Sequence, residues 1–280
     1  MEPKIIERQK INLNETQTKM LVSGWGKEVH ENSVVEKITY LSDGLKVKGY
    51  LAYPADQSKI YPCVIWNRGG VKNDGAIDSF TARGMFGQIA SWGFAVFASQ
   101  YRGNAGGEGK EQLGGEEVND ILNLIPLADE LPFTDNNKWG IEGWSRGGMM
   151  TYLTLKKNHN FKCAVLVGAI SNFRLHFEKN PQSENHYKEY IGDKNLDYEI
   201  EKRSAINFVE SLPKIPYLIV HGGADKTVSP LQSIEISRKM LALEIPHRLV
   251  LFENGDHFLR AHRKELDSLK KIWYEKYLTA

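Results

Sequence analysis

A serine set between nearly bare residues places the strongest constraint on this chain. Gly143-Trp144-Ser145-Arg146-Gly147-Gly148 follows directly on the strand-like run Lys138-Trp139-Gly140-Ile141-Glu142. A Gly-x-Ser-x-Gly segment between a strand and a helix is a very tight turn. The positions two before and two after the serine must carry almost no side chain, and the serine itself sits in strained backbone geometry. Such a turn lifts the hydroxyl above the sheet edge and aims the next helix's N-terminus at it. Gly and Ser are common residues, so the reading turns on two later segments.

The first is Tyr217-Leu218-Ile219-Val220, which reads as a buried parallel strand ended by Gly222-Gly223, with Asp225 in the loop at its carboxyl end. The second is Arg248-Leu249-Val250-Leu251-Phe252, read as another buried strand, followed by a Gly255-Asp256 turn that presents His257. The order Ser145, Asp225, His257 is that of an α/β-hydrolase triad, with room between its members for βα units. The chemistry suits these residue types. A serine hydroxyl is a poor nucleophile until a base takes its proton, and imidazole titrates near the working pH. A carboxylate then fixes the tautomer and stabilises the imidazolium. Asp256 reads as turn chemistry and His221 as hydrogen-bonding support for the acid loop. His176 and His186 read as surface or pocket-lining residues.

These three motifs resemble the catalytic domain of the prolyl oligopeptidase family of serine hydrolases. Two further stretches match that pattern: Tyr101-Arg102-Gly103-Asn104-Ala105-Gly106-Gly107-Glu108-Gly109 after the fourth strand, and Arg203-Ser204-Ala205-Ile206-Asn207 ahead of the acid's strand. The likeness runs from about residue 45 to the C-terminus. It implies an α/β-hydrolase fold and serine-hydrolase chemistry. It leaves the substrate open, since relatives include peptidases, esterases and other acyl hydrolases. The oxyanion donors expected are the amide of Arg146, directly after the serine, and the amides of Arg68 and Gly69 in the turn Asn67-Arg68-Gly69-Gly70. Some relatives carry a tyrosine where Arg68 stands, and an acidic substrate group is the alternative partner for its side chain. A plain strand-to-helix turn is the competing reading of residues 67–70.

The remaining pattern predicts one α/β domain over 1–280, with a mostly parallel central sheet and helices on both faces. Residues 1–32 are expected to form an N-terminal arm with at most a short helix. Val34–Tyr40 and Lys46–Tyr53 are expected as an antiparallel hairpin with one wet face, turning at Ser42-Asp43-Gly44. Pro126 should kink or divide a helix over 116–131. Arg102 and Glu108 suggest a solvated loop with internal ion pairing. Residues 171–212 break the rhythm and read as a helical insertion, either a roof over the site or a peripheral decoration. Phe173, Phe177, Tyr187 and Tyr190 within it are candidate pocket residues. So is Trp144, with packing beneath the turn as its alternative.

Lys and Arg total 36 against 35 Asp and Glu, a net charge of +1, which gives no electrostatic reason to expect nucleic acid or an anionic membrane. The polar first twenty residues hold no secretory core, and no run is long enough to span a bilayer, so a cytoplasmic protein is expected. Cys63 and Cys163 read as buried structural thiols. No metal-ligand spacing occurs, and the glycines of 103–109 lack the Gly-Lys-Ser/Thr of a phosphate cradle, so no cofactor or metal is expected. The expected substrate is a short peptide or a small ester or amide. A serine peptidase is the first reading, a carboxylesterase or acyl esterase the second, and a non-catalytic binding module the third. A homo-oligomer formed through the N-terminal arm is left open.

Overall fold

The computed structural model describes residues 2–158, 160–192 and 195–279, and for His186 the backbone alone. The first half of the chain contributes β1 (Ile5–Lys10), α1 (Glu15–Trp25), α2 (Lys27–Glu31), β2 (Ser33–Ser42), β3 (Leu45–Pro54), β4 (Tyr61–Asn67), α3 (Ser79–Ser91), β5 (Ala95–Ser99) and α4 (Val118–Leu122). The second contributes β6 (Thr134–Trp144), α5 (Arg146–Lys157), β7 (Phe161–Val167), α6 (Phe173–Lys179), α7 (Pro181–Ile191), α8 (Leu196–Arg203), β8 (Tyr217–Gly222), α9 (Leu231–Ala242), β9 (His247–Phe252) and α10 (Arg263–Leu278). Nine strands form one sheet in the order β1-β2-β3-β5-β4-β6-β7-β8-β9. The β4–β5, β7–β8 and β8–β9 pairs are parallel, whereas β1–β2, β2–β3 and β3–β5 are antiparallel. The backbone forms two compact units, Met1–Glu111 with Asn119–Trp139, and Gln112–Val118 with Gly140–Ala280.

In the first unit the N-terminal arm is more ordered than its sequence suggests. Ile5–Lys10 pairs with β2 from Ile5↔Tyr40 to Lys10↔Glu36. Its residues are mostly exposed, as suits an edge strand, so no apolar alternation announces it. The β2–β3 hairpin closes at Ser42↔Leu45 around Asp43 and Gly44, both at positive φ (50° and 82°). The expected wet face is a misreading: every residue from Ile38 to Ser42 is buried. Phe86 of α3 lies 5.7 Å from the ring of Tyr50, and the Tyr40 hydroxyl donates to the Asp120 carbonyl at 2.7 Å. A hairpin whose strands have partners on both edges and cover on both faces loses its polar alternation.

Arg102 likewise departs from expectation. It is buried, and its guanidinium meets the Asp120 carboxylate at 2.8 Å and Asp43 at 2.8 Å instead of Glu108. Glu108 instead accepts from the Lys46 amide. Pro126 does divide the 116–131 stretch, opening a separate 3-10 turn after α4.

In the second unit, α5 is buried along nearly its whole length and β7 is buried except at Lys162. The strand expected to be buried at 248–252 proves to be the last in the sheet. Of β9 only Phe252 is fully buried, and Leu251 is exposed. Helix α10 is tied to β6 by Tyr274, whose hydroxyl donates to Glu142 at 2.6 Å. The Lys270 ammonium stands 2.6 Å from the other oxygen, an ion pair without aligned hydrogen-bond geometry. Among the described residues no helix is long and apolar enough to cross a membrane.

Candidate active site

The site is built in the second unit from the carboxyl ends of β6, β7, β8 and β9. Ser145 occupies φ 57°, ψ −124°, a region that non-glycine residues avoid, between the end of β6 and the start of α5. Its amide donates to the Val167 carbonyl at 2.8 Å, and its carbonyl accepts from Gly148. The glycines are required by contact. A Cβ at Gly143 would strike the Gly147 carbonyl and the Thr151 hydroxyl, and one at Gly148 would strike Ala169. The serine hydroxyl caps no amide of the helix it opens. The Arg146 amide lies at the positive end of the α5 dipole.

Asp225 and His257 meet because the loops after β8 and β9 pack backbone against backbone. Gly223 donates to the Phe252 carbonyl at 2.7 Å and Ala224 to the Gly255 carbonyl at 3.0 Å. Gly222 and Gly255 face one another, and a Cβ on either would collide with the opposite loop. One Asp225 oxygen accepts the amides of Thr227 (2.8 Å) and Val228 (2.9 Å), which shapes the loop. The other accepts from His257 Nδ1 at 2.7 Å and lies 3.3 Å from His221 Nε2. Burial alone would push the Asp225 carboxyl up. Hydrogen bonds from His221 and His257, the His257 charge and the Val228 amide overcome it and hold the group well below the usual carboxylate range. With its Nδ1–H donated in a hydrogen bond to the carboxylate, the neutral imidazole of His257 presents its lone pair at Nε2.

Ser145 and the imidazole share a neighbour. Gly168 follows the residue that receives the Ser145 amide. A Cβ built on it would sit 3.4 Å from His257 Cε1 and Nδ1 and 3.6 Å from the Asp225 carboxylate. Trp144, half-buried, donates from its indole to the His257 carbonyl at 3.1 Å. His221, set aside as a base, bonds Ser233 (2.7 Å) and the Val228 carbonyl (2.9 Å), while Asp256 accepts the Arg260 amide.

The insertion begins where Gln232 of α9 accepts the amides of Ser171 and Asn172 at 2.8 and 2.7 Å. Phe173, Phe177 and Tyr187 then pack as one buried cluster with ring centroids 5.2–5.6 Å apart. Tyr190 is half-buried one turn beyond Tyr187. His176 stands inside that cluster. Burial and the nearby His257 pull it down to about 4, against the opposite pull of Asp225. The side chain of His186 lies outside the described residues. Burial pushes the Tyr187 hydroxyl up, opposed by the Arg146 guanidinium.

Glu117 escaped the sequence reading. Fully buried, it accepts the amides of Gly114 (2.7 Å) and Gly115 (3.1 Å) and faces the Arg146 guanidinium at 3.2 Å. Arg203 holds the same loop through the Leu113 carbonyl at 2.6 Å. The acidic pair Glu116-Glu117 after Gly114-Gly115 was the available signal, because such a loop presents amides that a carboxylate can gather.

Arg68 and Gly69 belong to the first unit. The Arg68 side chain is fully buried there, donating to the Gln100 carbonyl at 3.0 and 3.1 Å, 3.9 Å from Glu111 and 4.9 Å above the Tyr101 ring. It is thus turned into the protein, so an acidic substrate group as its partner is not what the fold provides. Among the described residues no cluster of three or more His, Cys, Asp or Glu side chains has the geometry to hold a metal.

A family model described as the prolyl oligopeptidase family matches residues 81–279. The chain belongs to the prolyl oligopeptidase family. It is accordingly a serine hydrolase. This family member is 34% identical over 224 residues to the uncharacterized peptidase YtmA of Bacillus subtilis (strain 168), covering 79% of this chain and 85% of that one. It is 27% identical over 147 residues to dipeptidyl peptidase 4 of Felis catus, covering 52% of this chain but 19% of that protein. Its fold is shared with the uncomplexed acylaminoacyl peptidase of Pyrococcus horikoshii (TM-score 0.77, 22% identity), which covers 93% of this chain and 43% of that one.

Proposed function

We propose that the chain is a serine peptidase that cleaves short peptides or acyl amides through Ser145, His257 and Asp225. The hydrogen bond from His257 to Asp225, set against Gly168 beside the strained Ser145, carries the reading. The resemblance to a named peptidase over most of both chains favours amide over ester substrates.

Ser145 Oγ attacks the carbonyl carbon as its proton passes to His257 Nε2. The carbonyl oxygen becomes an oxyanion against the Arg146 amide. The tetrahedral species collapses, the carbon–nitrogen bond breaks, and His257 gives its proton to the leaving amine. An acyl-Ser145 ester remains. Water, deprotonated by His257, attacks that ester, and the carboxylic acid leaves as the proton returns to Ser145. Asp225 stays ionised throughout and keeps the imidazole oriented.

Aminoacyl nitroanilides, short peptides and short-chain nitrophenyl esters assayed side by side test the substrate class. Ester turnover with no amide cleavage would replace the peptidase with an esterase. A fluorophosphonate probe should label Ser145. Ser145→Ala should abolish labelling and lower kcat by roughly 10⁴–10⁶-fold, by comparison with triad knockouts in an unrelated hydrolase. A loss below about tenfold would mean another nucleophile.

A further inference from the structure

His176 carries a polar atom that no described residue satisfies. The residue is 5% exposed, and its Nδ1 has no hydrogen-bond partner among the described residues. An orphaned buried polar group gives up its hydration without compensation, a cost that a phenylalanine of similar shape would not carry. The surroundings would suit that phenylalanine. The ring stands edge-on to Phe173 (6.4 Å between centroids, 81°) and Tyr187 (5.7 Å, 70°), and 6.0 Å from Phe177.

The ionisable groups that act on it are His257 and Asp225, from the loops after β9 and β8. Tyr187 in the same cluster feels Arg146, the residue after the nucleophile. Asn180, which closes α6, donates to the Thr227 carbonyl at 3.2 Å, so the end of the helix that carries His176 borders the loop of Asp225, the partner of His257. Burial and His257 keep His176 neutral near pH 7, with one donor nitrogen and one acceptor.

We propose that His176 is a specificity-determining residue that hydrogen-bonds a short, neutral polar side chain (a hydroxyl or carboxamide) on the substrate residue whose carbonyl is attacked. A charged side chain there would lose its hydration against Phe173, Phe177 and Tyr187. An apolar one would leave the imidazole unpaired, and sites built to hydrogen-bond a substrate discriminate strongly against analogues lacking that group. The inference rests on the hydrolase reading above.

The test compares kcat/KM for matched threonyl and valyl substrates, which differ by hydroxyl against methyl, and for asparaginyl and leucyl substrates. Each is prepared as nitroanilide and nitrophenyl ester. The enzymes are wild type, His176→Phe and His176→Asn, each also titrated with a fluorophosphonate probe. Wild type should favour threonyl over valyl by at least about tenfold. That ratio should fall to near one in His176→Phe and return in part in His176→Asn. A wild-type ratio near one, or a ratio unchanged in His176→Phe, overturns the assignment while labelling of Ser145 leaves the hydrolase reading standing. Absence of both labelling and turnover in wild type removes that reading, and the assignment with it.

Discussion

Asp225 shows how one side chain can serve loop and site together. Its two oxygens are divided between the amides of its own loop and the imidazole of His257. A carboxyl held below its ordinary range stabilises the fold fully above the unfolded value, about 3.9, and loses that contribution as pH falls through the folded value. Asp225→Asn should therefore cost about 1–3 kcal/mol near pH 7, with the gap to wild type narrowing only in strong acid. Urea unfolding at pH 7, 5 and 3 measures this, and a gap independent of pH would contradict it. The sequence pointed to Asp225 and His257 because each follows an apolar run and a glycine turn. Glu117 has a glycine pair ahead of it but no apolar run, and His176 has neither. Their surroundings come from segments far apart in the chain, and no local pattern encodes that Glu117 meets Arg146 or that His176 is walled in by Tyr187.

At the scale of elements, two glycines in helical or turn settings should respond oppositely to alanine. Gly143→Ala drives a methyl into the backbone of Gly147, so about 1–3 kcal/mol of stability should be lost, and probe labelling of Ser145 should fall with it. Gly24 lies within α1 with no heavy atom within 4 Å of a built Cβ, so Gly24→Ala should stabilise by roughly 0.4–1 kcal/mol. Thermal melts of both variants give the two signs, and a shift in the same direction would refute the packing argument. The same elements show where pattern reading ends. Strand β6, helix α5 and strand β7 were legible to within a few residues because apolar runs and the elbow mark them. Strand β1 was not, since an exposed edge strand needs no alternation. The apolar run Leu249-Val250-Leu251-Phe252 reads as a buried strand, yet the place of β9 at the end of the sheet is a property of topology, which four residues cannot carry.

At the scale of the whole molecule, each compact unit holds one cysteine: Cys63 on β4 in the first, Cys163 on β7 in the second. Both are free and buried, and burial pushes both thiols up. Because only a thiolate attacks a disulfide reagent, neither sulfur should react until the strand around it opens. Two single-cysteine variants, Cys63→Ala and Cys163→Ala, thus turn the pair into separate clocks. Modification by an aromatic disulfide should be slow in native buffer and quicken with added urea, each trace timing the breathing of one half. Rapid stoichiometric reaction of either native thiol would show that its half stands ajar.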